Sequence, residues 1–98
     1  MTEEKVACRT PTVGKKGVTN IPRWKYESVR EAINTILSDG DVPFAQLTRR
    51  VSDVLSDDIK SNIGAVGWHV ASVKLEMEVR GEIARIPGKT PQVLMLVK

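Results

Sequence analysis

Residues 66–92, VGWHVASVKLEMEVRGEIARIPGKTPQ, carry the pattern from which we predict the fold. Apolar residues follow helical spacing up to Gly81, a residue that favours the left-handed turn at which helices commonly end. Residues 82–86 and 93–97 are rich in Ile, Val and Leu, and a turn containing Pro and Gly separates them, as in a β-hairpin. The stretch therefore predicts a helix over residues 65–80, followed by a two-stranded hairpin.

The predicted helix carries two apolar stripes on nearly opposite sides. One stripe consists of Val66, Val70, Val73 and Met77, and the other of Trp68, Leu75 and Val79. A helix that is apolar on two sides is normally packed between other elements. We expect two earlier helices to cover one stripe and the hairpin to cover the other.

Two amphipathic helices are predicted upstream, because the same apolar spacing occurs twice. The first has Tyr26, Val29, Ile33, Ile36 and Leu37, and the second has Phe44, Leu47, Val51, Val54 and Leu55. An extended bridge over residues 41–43 would join them, and Ser56 and Gly64 would begin and end a further short helix. The predicted fold class is α+β: a winged helix-turn-helix domain over residues 22–98, with three main helices and a C-terminal hairpin as the wing.

Residues 1–21 show no periodicity and contain Thr, Pro, Gly and Lys, which predicts a basic, flexible N-terminal arm. Cys8 is the one cysteine of the chain, so neither an intramolecular disulfide nor a cysteine zinc site is expected. His69 is the one histidine, and we expect no metal and no small-molecule cofactor.

Other function classes find little support in the sequence. No apolar run approaches the roughly 20 residues of a membrane helix, and the N-terminus has no signal-like apolar stretch, so we expect a cytoplasmic protein without membrane contact. The glycine-lysine segment VGKKG lacks the spacing of a phosphate loop. With no serine, histidine and acid in a recognisable arrangement, we expect no enzymatic activity.

Four segments carry a resemblance to a known family. They are TPTVGKKG, IPRWKYESVREAI, VPFAQL and VGWHVASVKLEMEVRGEIARIPGKTPQ, and they span most of residues 9–92. In these segments the chain resembles a family of short bacterial proteins classed as a domain of unknown function. The resemblance implies a winged-helix-like fold and no established activity. A more distant likeness is to DNA-reading winged helices, and it rests on Lys74, Leu75, Arg80, Gly81, Ile83 and Arg85.

Charge is distributed unevenly along a chain of net charge +3. Residues 1–30 hold seven Lys or Arg against three Glu, residues 31–60 hold three against six acids, and residues 61–98 hold five against three. Two basic ends around an acidic middle suggest a surface that binds phosphate.

Double-stranded DNA is accordingly the first predicted partner, and a small transcriptional regulator the predicted function. In a winged helix the third helix enters the major groove and the wing touches the backbone. The candidate contacts are Lys15, Lys16, Arg23, Lys60, Ser61, Asn62, His69, Ser72, Lys74, Arg85, Lys89 and Thr90.

A protein-interaction or dimerisation module without DNA binding is the alternative. Glu76 and Glu78 lie on the proposed recognition helix, where they would repel phosphate. The last strand is apolar on both alternating sets of residues; if it lies at a sheet edge, one set needs a cover, which a partner chain would supply. A homodimer is compatible with both functions.

Overall fold

Four helices and five strands make up the described part of the chain. The computed structural model describes residues 4–9, 18–88 and 92–97. In chain order the elements are β1 (Lys5–Arg9), β2 (Val18–Pro22), α1 (Arg23–Ser38), β3 (Val42–Pro43), α2 (Phe44–Val54), α3 (Asp57–Ile63), α4 (Val66–Val79), β4 (Ile83–Arg85) and β5 (Val93–Leu96). The fold class is α+β, as predicted.

The first two helices form where the apolar spacing places them. All five residues predicted for the inner face of α1 are buried, and on α2 both Leu47 and Val51 are buried. The prediction for Val54 is wrong, since this side chain is 49% exposed. The backbone of Leu55 is already extended (φ −69°, ψ 140°), so the last helical turn is not completed. Leu55 turns into the core and Val54 stays outside.

The short helix α3 begins and ends at the residues predicted for it. The Ser56 hydroxyl accepts a hydrogen bond from the Ile59 amide at 3.3 Å, which caps the helix. Gly64 has a φ of 89°, a conformation that L side chains rarely adopt, and this allows α4 to start in a new direction.

The three-stranded sheet joins the middle of the chain to its end. β5 lies in the centre and is antiparallel to both β3 and β4, with Val42 opposite Leu94 and Ile83 opposite Leu96. The bridge predicted at residues 41–43 is thus an edge strand, and the predicted C-terminal hairpin consists of β4 and β5. Through β5 the sheet packs on α1.

α4 packs in the middle of the fold. α1 and α2 cover its first apolar stripe, where Val70, Val73 and Met77 are fully buried, as predicted. The described part of the hairpin leaves the second stripe incompletely covered, contrary to the prediction, since Trp68 on that stripe is 50% exposed. β4 and β5 contain only three and four residues; β5 packs on α1, and β4 lies beside α4.

β1 and β2 form a second antiparallel hairpin, which packs against α4 and α1. Val6, Cys8 and Ile21 from this hairpin are buried in the same core as the helices. The described part of the predicted N-terminal arm therefore belongs to the folded unit, which starts before residue 22; the flexibility of the segment stays a prediction. Alternation of two residues, Val6 and Cys8, is too brief a pattern to indicate a strand.

Cys8 offers a direct test of how firmly this hairpin is docked. Burial, with a smaller contribution from the Glu76 carboxylate, raises the pKa of the Cys8 thiol from 9.0 to about 11. Because the thiolate is the reactive form, that shift alone lowers its fraction at pH 8 about a hundredfold. We expect the folded protein to react with a disulfide reagent such as DTNB far more slowly than the protein in urea.

The Cys8→Ser variant is the blank for this measurement, because no other cysteine is present in the sequence. Equal reaction rates with and without urea would contradict the docking of β1 on α4.

Candidate functional site

One face of α4 is not completely covered by the described part of the chain. This face consists of Trp68, Ala71, Ser72, Leu75 and Val79, and we call it the open face of α4. Their spacing by three and four residues places them on one side of the helix, directly opposite the core stripe. Trp68 is half exposed and the other four are half-buried. The half-buried apolar residues that do pack on the core are different ones: Phe44, Ile59, Val66 and Leu96.

Buried charges flank the open face on the side toward the sheet. Lys74 is 3% exposed, with its Nζ 3.4 Å from Glu78 Oε2 and 4.5 Å from the centre of the Phe44 ring. Burial lowers the pKa of the Lys74 ammonium, and the nearby Glu78 carboxylate opposes that shift. Arg85 donates from Nε to Glu78 Oε1 at 2.8 Å. Glu78 therefore holds two cations at once.

A second buried carboxylate lies on the opposite flank, toward β1. Glu76 is fully buried and accepts a hydrogen bond from Arg80 Nε at 2.7 Å. The Arg80 guanidinium also lies over the Tyr26 ring, 5.2 Å from its centre. Tyr26 is buried as well, and its hydroxyl has no hydrogen-bond partner among the described residues. The open face of α4 is thus an apolar strip between two internally paired charge clusters.

Four predicted DNA contacts lie on α4 and β4, and three of them already interact with other groups of the protein. His69 is buried, with Nδ1 2.8 Å from the Ala65 carbonyl oxygen. Lys74 and Arg85 are paired with Glu78. Ser72 is half-buried and is the one polar member of the open face. Helix packing explains this outcome, because α4 is enclosed on three of its sides.

The other described candidates are exposed or half-buried side chains with local partners. Arg23 pairs with Glu4 at 3.0 Å and with Glu27 at 3.7 Å. Lys60 lies 3.5 Å from Asp57. Ser61 and Asn62 donate to the backbone carbonyls four residues earlier on α3. Lys15, Lys16, Lys89 and Thr90 lie outside the described residues. Among the described candidates, Lys74 and Arg85 are brought together by their shared partner Glu78.

Sequence reasoning missed two features of the surface. The apolar residues of the open face were identified, but as core. The shortness of the hairpin strands, which bears on how that face is covered, is visible only in the structure. Arg49 and Arg50 on α2 are exposed, and neither takes part in an ion pair among the described residues. Two adjacent arginines on the polar side of a predicted helix were the available signal.

Two further features are absent from the part of the chain that the structure describes: a cluster of metal ligands and a membrane-spanning helix. No three side chains from His, Cys, Asp and Glu come together there as metal ligands would. No helix there has both the length and the apolar character needed to cross a bilayer.

A family model matches residues 5–94, described as a family of unknown function, DUF6958. The chain belongs to this family. The match runs from β1 to the middle of β5, so the family's domain includes the N-terminal hairpin as well as the four helices. No curated protein and no solved structure matches the chain.

The Lys74–Glu78–Arg85 cluster predicts an asymmetry between two substitutions. Glu78→Gln leaves the Lys74 cation buried without a counter-ion, which should lower the free energy of unfolding by about 2–4 kcal/mol. Lys74→Met keeps the Arg85–Glu78 pair and removes a buried charge, so we expect a change within about 1 kcal/mol. Urea unfolding followed by circular dichroism measures both values. Equal losses in the two variants would contradict this account of the cluster.

Proposed function

We propose that this protein is a winged-helix interaction module that forms a two-fold dimer through the open face of α4. The observation that carries the proposal is the apolar strip of Trp68, Leu75 and Val79 on a helix whose opposite side is already packed in the core. Exposed apolar patches of this kind mark interaction surfaces in soluble proteins.

The order of elements supports a winged-helix assignment. After β2 the chain runs α1, β3, α2, α3, α4 and then the hairpin of β4 and β5, with α4 as the third of the longer helices. One departure bears on function. A DNA-binding helix-turn-helix joins its two helices by a turn of three or four residues, whereas α3 is inserted here between α2 and α4.

The chemistry of the open face favours protein over DNA as the ligand. Base edges are read by Arg, Lys, Asn and Gln, which donate or accept hydrogen bonds in the major groove. The open face offers one hydroxyl, at Ser72, among four apolar residues. Lys74 and Arg85, the nearest cations, are held by Glu78.

A second copy of the chain fits this face well. In an antiparallel helix pair related by a two-fold axis, Trp68 of each copy would face Val79 of the other, and Ser72 would face Leu75. Large side chains thereby meet smaller ones along the whole strip, and Ala71 allows the two backbones to approach closely. Such an isologous contact is self-complementary and closes at two subunits.

Sedimentation velocity on the full chain, at roughly 5 to 500 µM, covers the range expected for a small interface. We expect a concentration-dependent dimer. In a dimer of the Leu75→Arg variant, each copy would bring one cation into the apolar interface. We therefore expect this variant to be a monomer with an unchanged circular dichroism spectrum. Adding Ser72→Glu to Leu75→Arg should restore the dimer, because residues 72 and 75 face each other across the axis.

Val54→Arg is the matched control, since it introduces the same charge at an exposed apolar residue of α2 and should leave the dimer intact. A wild-type chain that stays monomeric over the whole range, or a Leu75→Arg variant that dimerises normally, would refute the proposed dimer.

DNA binding is the second candidate, favoured by the exposed Arg49 and Arg50 on α2. We expect any such binding to depend steeply on salt, because it would rest on phosphate contacts. Fluorescence anisotropy of a labelled random duplex at about 50 and 200 mM salt measures it. Arg49→Ala combined with Arg50→Ala should then weaken binding at the lower salt. Absence of binding at low salt would leave the interaction module as the function.

A further inference from the structure

The sheet has an open edge where its β3–β5 ladder stops early. β3 pairs with β5 at two positions, Val42 with Leu94 and Pro43 with Val93. The residues before β3 then leave β5. Gly40 has a φ of 146°, which L side chains rarely adopt, and it lies where the two segments separate. A solvent-open groove of about 900 Å³ occupies the gap, bordered by residues 37–41 on one side and 95–97 on the other.

The backbone of β5 presents a vacant pairing position to this groove. Val97 N donates to Glu82 O at 3.0 Å, and Ile86 N donates to Val93 O at 2.9 Å. Residues 93 and 97 therefore direct their backbone polar groups to the β4 side. In an antiparallel ladder alternate residues bond to opposite neighbours, so Leu96 directs its N–H and C=O toward the groove. A residue placed opposite Leu96 would exchange two backbone hydrogen bonds with it.

Apolar side chains and acidic side chains line different parts of the groove. Leu37, Met95 and Val97 supply apolar surface, and Met95 and Val97 are exposed. Asp39 and Asp41 are exposed on the opposite border, and neither forms an ion pair among the described residues.

The local charge balance around this border is negative. The cleft that adjoins Asp39 adds one acid and one base, Asp53 and Arg50. With Asp41 these make three carboxylates against one guanidinium among the described residues, so the border attracts cations and repels acidic segments.

From these observations we infer that the groove binds an extended segment of another protein in which Lys or Arg alternates with apolar residues. The segment adds a short strand beside β5 and bonds to Leu96 through its backbone. Its apolar side chains contact Met95 and Val97, and its basic side chains lie near Asp39 and Asp41. This surface shares no residue with the open face of α4, so the inference stands apart from the proposed dimer.

A fluorescein-labelled peptide, acetyl-Lys-Val-Lys-Val-Lys-amide, is the probe. We expect it to bind the full chain in fluorescence anisotropy, and the same peptide with Glu in place of Lys to show no binding. The Asp39→Asn, Asp41→Asn double variant should lose about tenfold in affinity, because two partly screened charge contacts disappear.

The Glu27→Gln, Glu31→Gln double variant removes the same charge from α1 and is the matched control, with an expected affinity within about twofold of wild type. Backbone pairing has its own readout: in a ¹⁵N–¹H spectrum the Leu96 amide should shift on addition of the peptide. Equal losses in the two double variants, or a Leu96 amide that does not move at saturation, would overturn the inference. No binding at about 1 mM peptide would overturn it as well.

Discussion

Burial of the Val70, Val73 and Met77 stripe of α4 is the contact on which the described structure depends. α1 and α2 meet on this stripe, and β1 closes the adjoining side of the helix. Each of the three side chains is completely removed from solvent, which contributes about 1.5–3 kcal/mol apiece. The N-terminal hairpin and the helices share this core, so neither is complete without the other.

The pairing of charges around α4 decides what the surface can do. Arg80 is bound to Glu76, and both Lys74 and Arg85 are bound to Glu78, so the acids of this helix neutralise the cations nearest to it. A carboxylate buried beside a cation is stabilised mainly by that cation, and it holds the cation in place in return. The uneven charge along the sequence therefore does not become a basic face on α4.

Much of the fold follows from apolar spacing alone, because the inner faces of α1 and α2 repeat one pattern and each begins after a proline. The helix cap at Ser56 and the turn at Gly64 follow equally from local chemistry. Two features do not. Val6 and Cys8 form too short an alternation to indicate a strand, and they are buried only because α4 lies beneath them. Val54, the last residue of α2, is exposed, and apolar spacing alone does not distinguish it from the buried Leu55 that follows.

The open face of α4 could not be located from the sequence for a different reason. A stripe of Trp68, Leu75 and Val79 has the same composition whether it faces a core or a partner, since both environments exclude water from apolar surface. What separates the two is the size of the covering element. The hairpin strands contain only three and four residues, and the central strand of the sheet, β5, packs on α1. None of the described elements then covers the second stripe of α4 completely. For this reason the interface of the proposed dimer becomes visible only when the packing of the hairpin is known.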